Sequence, residues 1–162
     1  MLHETASGPV VDRHVTNGAV GEAMHTLLHA SCVDLRGTGV VLLGPSGSGK
    51  SDLALRLVDG GARLVADDRV AIECRGDRLI ARPPPAIAGL IEVRGLGIMR
   101  IENCPSSALG LVVALGGTAP PRLPERATYQ VLGVTLPCLE LDPWAPSACA
   151  KIRLALAADR VD

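Results

Sequence analysis

Aromatic side chains are almost absent from this sequence: its 162 residues hold no Phe, one Trp and one Tyr. Lysine is nearly as scarce, because Lys50 and Lys151 are the only two among 16 basic residues and the rest are Arg. The formal net charge is -1. A chain without a basic excess and without aromatic stacking platforms lacks the usual means of holding nucleic acid, so no polynucleotide partner is expected. Long hydrophobic runs are missing too. The longest, Ala108 to Leu115, falls far short of the ~20 residues that span a bilayer. The first 25 residues mix His, Glu, Asp and Arg with no apolar signal-peptide core, which points to a cytoplasmic protein with no membrane partner.

Paired cysteine motifs are also lacking. Cys32, Cys74, Cys104, Cys138 and Cys149 are five in number, with no C-x-x-C pair and few histidines nearby in sequence. An odd, scattered set argues against a disulfide framework or a zinc site, and reduced thiols among aliphatic neighbours act as small buried hydrophobes.

What is present is one ordinary domain's worth of apolar residues, 48% of the chain against 20% charged, enough for a single core. Residues 1–23 show no apolar period and several turn formers, so a loose tail is expected there, with the domain proper at 24–162. From Met24 a short segment runs to His29. Cys32–Leu35 and Val40–Leu43 then read as a hairpin around Gly37-Thr38-Gly39, its second strand fully buried. A helix follows, carried by Leu53, Ala54, Leu57 and Val58 and stopped by Gly60-Gly61. Arg63–Asp68 reads as a buried strand, and Val70–Cys74 with Leu79–Ala81 as a hairpin over Gly76-Asp77. Pro83–Pro85 reads as an extended connector, followed by Leu90–Gly97, a strand-like Leu109–Leu115, a proline-rich connector at Pro120–Pro124 and a hairpin over Gln130–Leu141 near Gly133. Ser147–Ala158 closes the chain as an Ala/Leu-rich helix with Ser147 as its N-cap. The expected class is α/β or α+β, strand-rich with flanking helices.

The buried strand leads straight into Gly44-Pro45-Ser46-Gly47-Ser48-Gly49-Lys50-Ser51 and then the helix, so G-x-x-x-x-G-K-[ST] stands in the strand–loop–helix context that a P-loop requires. Its glycines let backbone N–H groups converge on phosphate oxygens, and the helix N-terminus adds positive potential. Lys50 would reach the β- and γ-phosphates of a nucleotide such as ATP. A compact ammonium fits that cradle where a flat guanidinium does not, which accounts for a Lys in an Arg-rich chain. Ser51 offers a hydroxyl to Mg²⁺, which needs carboxylates from elsewhere. Asp67 and Asp68, at the carboxyl end of a buried strand, are the first to consider. Side chains alternate along a strand, so one is expected to face the phosphates and the other a hydrogen-bond partner. There is no N-K-x-D for guanine and no L-S-G-G-Q, which weakens GTPase and transporter-ATPase readings.

Three features together resemble the catalytic domain of HPr kinase/phosphorylase, the bacterial enzyme that phosphorylates and dephosphorylates a serine of the phosphocarrier HPr. They are His29 ahead of the P-loop, G-P-S-G-S-G-K-S followed by L-V-A-D-D, and Glu92-Val93-Arg94-Gly95-Leu96-Gly97-Ile98, which is similar to the family signature. The resemblance implies a P-loop core related to phosphoenolpyruvate carboxykinase, a short form without the family's N-terminal domain, and a hexameric homo-oligomer. It further implies that Lys50 holds the phosphates of ATP and that Ser51 and Glu92 help bind Mg²⁺. One of Asp67 and Asp68, with Asp68 favoured, takes the target serine's proton and returns it in phosphorolysis, and His29 supports that acid. Glycines at 95 and 97 suggest a backbone closing on something. The sequence departs from the family at Ala30, where a glycine is usual. It also departs at Pro143-Trp144-Ala145-Pro146-Ser147-Ala148, where the family has an arginine associated with dephosphorylation; Lys151 is the nearest candidate cation.

The expected function is a Mg²⁺-dependent serine kinase, with or without phosphorylase activity, acting on HPr or a related phosphotransferase-system carrier in regulating carbon or nitrogen metabolism. Two alternatives stand beside it: a non-catalytic nucleotide sensor, motivated by the missing arginine, and a small-molecule kinase.

Overall fold

A computed structural model describes residues 24–116 and 118–161; the tail expected at 1–23 lies outside the described residues. Among the described residues, eleven strands and two α-helices follow one another. Strands β1 (His25–Leu28), β2 (Ser31–Leu35) and β3 (Thr38–Leu43) lead through the P-loop into helix α1 (Lys50–Asp59). Then come β4 (Arg63–Ala66), β5 (Val70–Arg75), β6 (Arg78–Arg82), β7 (Leu90–Val93), β8 (Gly97–Arg100), β9 (Ser107–Leu115), β10 (Ala127–Val131), β11 (Val134–Leu141) and helix α2 (Ala148–Ala157). The class is α/β, a strand-rich mixed sheet flanked by two helices.

The central strands run in the order β10–β11–β9–β3–β2–β4. β3, β9 and β11 are mutually parallel, and β4 shares their direction because both β3 and β4 run antiparallel to β2. The carboxyl ends of β11, β9, β3 and β4 therefore lie along one edge of the sheet. That edge receives the P-loop, the two acids after β4 and the loop after β11, the usual place for ligands in open sheets.

Both faces of the central strands are covered, which is why they read as apolar runs without alternation. On β3, Val40 and Leu42 point to the helix face, where they join Leu53 and Leu57 of α1 and Ile152 of α2. Val41 and Leu43 point the other way, onto Ile72, Leu79 and Ala81 of the β5–β6 ribbon and Leu28 of β1. Leu42, Leu53 and Leu57 are fully buried, and truncating any of them to Ala should cost about 2–5 kcal/mol.

Several local expectations are corrected. The first hairpin turns at Arg36-Gly37, both with positive φ (54° and 91°), so Thr38 and Gly39 already belong to β3. Pro85 opens a 3-10 turn over Pro85–Ile87 rather than extending the connector; a proline fits the first turn because its missing N–H has no partner there. Leu90–Gly97 is the start of a further hairpin, β7 with β8, whose second strand is exposed throughout and carries no alternating signal. Ser147 occupies the N-cap of α2 but makes no side-chain cap, its backbone being turned (φ -86°, ψ 2°) rather than extended. The cysteines are all free. Cys32 and Cys104 are buried as expected, whereas Cys74, Cys138 and Cys149 are only half-buried.

Candidate functional site: a phosphate cradle with two divided acids

The P-loop leaves β3 at Gly44 and delivers Lys50 and Ser51 into the first turn of α1. Gly47 (φ 79°) and Gly49 (φ 96°) take left-handed backbone conformations that only glycine adopts cheaply. Lys50 is buried, and its Nζ donates to the carbonyls of Gly44 (2.6 Å) and Pro45 (3.1 Å). Burial lowers its proton affinity below the ordinary lysine value, while the charges of Asp68 and Asp67 act in the opposite direction. The hydroxyl of Ser48, inside the loop, is buried with no hydrogen-bond partner. A loop with converging N–H groups, a buried ammonium and a free hydroxyl is chemically suited to phosphate oxygens.

The adjacent acids are sharply divided in environment. Asp67 is buried (4% exposed). Its Oδ1 accepts from Ser51 Oγ (2.7 Å) and Ser31 Oγ (2.7 Å), and its Oδ2 accepts from the Glu92 backbone N–H (3.1 Å). It thereby ties the P-loop, β2 and β7 together. Asp68 has a side chain 66% exposed and accepts from His29 Nε2 at 3.0 Å, with Arg69 Nε 4.0 Å away. Strand alternation does not govern the pair, because β4 ends at Ala66 and Asp68 takes a left-handed conformation (φ 68°). That kink brings both carboxylates to the Lys50 end of the P-loop instead of sending them to opposite faces.

A cavity of about 440 Å³ joins these parts, lined by Gly47, Gly49, Lys50 and Ser51, by His29 and Asp68, by Glu92, Val93 and Arg94, and by Trp144. The remainder of the signature does not reach it. Gly95 (φ 89°) and Gly97 (φ 99°) form the β7–β8 turn, with Leu96 and Ile98 exposed at 71% and 72%. A Cβ at either glycine would meet nothing within 4 Å. Within the chain itself, it is the left-handed backbone of the β7–β8 turn that requires glycine at both positions. Lys151 is exposed on α2 and is not among the lining residues, whereas Arg94 is.

Two participants carry no motif of their own, Trp144 being marked in the sequence only as part of the segment that stands where the family has its arginine. Ser31, fully buried, is a short-strand serine with no motif around it, and its link to Asp67 spans 36 residues. Trp144 stands in a loop that only the pairing of β11 beside β9 carries to the P-loop edge.

The oxygen donors around Ser51 suit a hard divalent cation such as Mg²⁺. Among the described residues no group of three or more His, Cys, Asp or Glu is gathered as a metal site. The cation would be held by Ser51, one or two carboxylates and phosphate oxygens together, the common arrangement for Mg²⁺. A larger, more open hollow of about 670 Å³ contains Asp34 and Arg78 and shares no residue with the P-loop. Its acid is already occupied by Ser107 Oγ (2.5 Å) and the Gly37 N–H (2.9 Å).

The fold is shared with a solved structure described as the Hpr(Ser) kinase/phosphatase from Coxiella burnetii, with a TM-score of 0.67 and 23% identity over 82% of this chain and 93% of that one. The sequence profile of the HPr Serine kinase C-terminal domain matches residues 22–108, from the start of β1 through the P-loop, the acid pair and the signature. More than half of the chain lies within that match, and the chain belongs to the HPr serine kinase C-terminal domain family.

Proposed function

We propose that this chain is an ATP- and Mg²⁺-dependent kinase that phosphorylates a serine of an HPr-type phosphocarrier. The observation that carries the reading is the division of the acids: Asp67 is committed to Ser51, while Asp68 stands open to the cavity beside His29. Phosphoryl transfer asks for in-line positioning, charge neutralisation and a base at the attacking hydroxyl, and these groups provide each in a separate place.

The P-loop backbone and Lys50 hold the triphosphate, Lys50 exchanging its carbonyl partners at Gly44 and Pro45 for phosphate oxygens. Ser51, with Asp67 and Glu92, would hold Mg²⁺, which would supply neutralisation of the charge that builds on the transferring group. Asp67 fixes the Ser51 hydroxyl, and its bonds to Ser31 and the Glu92 N–H keep it from turning outward. Asp68, solvent-accessible, accepts the proton of the incoming serine hydroxyl, and His29 orients its carboxylate from one side. Arg94, exposed and lining the cavity, would offer its charge to the transferring group or the acceptor segment. In the reverse direction Asp68 returns the proton to the serine oxygen as inorganic phosphate attacks the phosphoserine.

The test is to incubate the purified chain with ATP, Mg²⁺ and HPr-type carriers, and to locate any phosphorylation by mass spectrometry. One modified carrier serine, abolished by Lys50→Ala, supports the kinase. Nucleotide binding without modification of any carrier supports the sensor reading. ATP turnover with a small hydroxyl compound and no carrier supports a small-molecule kinase.

A further inference from the structure

The geometry points to Trp144 as the platform on which the purine base of the nucleotide stacks, so that the triphosphate runs along the P-loop from Trp144 toward Asp68. This inference rests on the kinase reading above and adds the half of the site that the phosphate chemistry leaves open. The sequence offers only two aromatic side chains for such a role. Tyr129 packs against the core on the face of the sheet away from the helices. Trp144 is 63% exposed and lines the P-loop cavity.

Its position is built. The benzo edge of the indole rests on the P-loop at Gly49, where an added Cβ would lie 3.0 Å from Cζ2 and 3.2 Å from Cη2. The backbone that carries it is held at two adjacent residues: the Trp144 N–H donates to Asp142 Oδ1 (2.9 Å), and Arg56 of α1 donates through Nη2 to the Pro143 carbonyl. An exposed indole held in one place loses little freedom when a flat ring stacks on it, and base–aromatic stacking tolerates any base.

The strand order sets which end of the nucleotide meets it. Asp67 and Asp68 follow β4, on one side of β3; Trp144 follows β11, on the other side, with β9 between. The reacting phosphoryl group must be at the Asp68 end to place the serine hydroxyl against its base. The remaining phosphates then lie along the loop between Ser51 and Gly49, and the nucleoside emerges on the β11 side. An acceptor protein approaching Asp68 leaves that side free.

The experiment is calorimetric titration of the whole chain, Trp144→Ala and Trp144→Phe with Mg·ADP and with Mg·tripolyphosphate, which has the phosphates and no base. Stacking predicts that Trp144→Ala weakens ADP about tenfold or more, leaves tripolyphosphate within about twofold, and is largely rescued by Trp144→Phe. In the unmutated chain, ADP but not tripolyphosphate should quench the emission of this single tryptophan. Equal weakening of both ligands would assign Trp144 to shaping the P-loop through Gly49, and an unchanged ADP affinity would place the base elsewhere; either overturns the inference while the kinase reading stands. Failure of the unmutated chain to bind either ligand would remove both.

Discussion

Ser51 Oγ donates a 2.7 Å hydrogen bond to Asp67 Oδ1, joining the last residue of the phosphate motif to the first of the two acids across 16 positions of sequence. The same oxygen accepts from Ser31, and its neighbour Oδ2 accepts from the Glu92 N–H. One buried carboxylate thus sets the relative positions of the P-loop, β2 and β7.

Asp67→Ala should destabilise the fold as well as the site. The substitution strands the fully buried Ser31 hydroxyl and weakens two further donors, a loss of about 2–3 kcal/mol at the usual cost of unmade buried bonds. Urea denaturation of the whole chain checks this. An unchanged midpoint would mean that the three bonds contribute nothing in solution.

His29→Ala separates a positioning role from a structural one. The His29–Asp68 pair is exposed on both sides, 54% and 66%, so it contributes under ~1 kcal/mol and the midpoint of unfolding should barely move. Turnover should fall about tenfold or more through kcat, with KM for ATP unchanged, because the histidine acts on the base and not on the nucleotide. A rise in KM at constant kcat would place His29 against the nucleotide instead.

Gly49→Ala should damage the loop from two directions. The residue has φ 96°, and its Cβ would press on Trp144 and on Pro143 (3.4 Å). The left-handed conformation alone costs about 1–2 kcal/mol for a residue with a Cβ. Lower thermal stability together with weaker nucleotide binding is expected; wild-type values for both would show that the loop relaxes without cost.

Nucleotide affinity should fall with rising pH sooner than an ordinary lysine would allow. Burial lowers the proton affinity of Lys50 in the free chain, partly offset by Asp68 and Asp67. Bound phosphates favour the ammonium, so binding takes up a proton wherever the free lysine is partly neutral, and affinity drops as pH rises through the lowered pKa. Above pH ~8 the phosphates are fully ionised and do not compete with this signal. Calorimetry in buffers of different ionisation enthalpy measures the proton uptake. Lys50→Met should bind more weakly with a flat profile, and a flat profile in the unmutated chain would contradict the assignment.

Much of this was legible because local signals agreed. The apolar run Val40–Leu43, the glycine spacing of 44–49 and the helical period from Leu53 identify a phosphate cradle before any contact is known. Asp67-Asp68 is legible as a candidate pair, but the division of labour is not. It depends on a left-handed backbone at Asp68, which an aspartate tolerates but does not by itself announce, and on Ser31 arriving from a different strand. β8 was missed because Gly97-Ile98-Met99-Arg100 is exposed on every residue and shows no period-two pattern. The resemblance marks the loop of Trp144 as functional, but its side chain reaches the cavity through the parallel pairing of β11 with β9, a long-range contact that sequence spacing does not encode.

The most direct test compares the unmutated chain with Asp68→Asn, measuring transfer of γ-labelled phosphate from ATP to a carrier serine and nucleotide affinity side by side. The kinase account predicts that Asp68→Asn loses about a hundredfold or more in transfer while binding nucleotide normally, since Asp68 serves the acceptor hydroxyl alone. Undiminished transfer by Asp68→Asn, or no transfer by the unmutated chain to any carrier despite tight nucleotide binding, would contradict it.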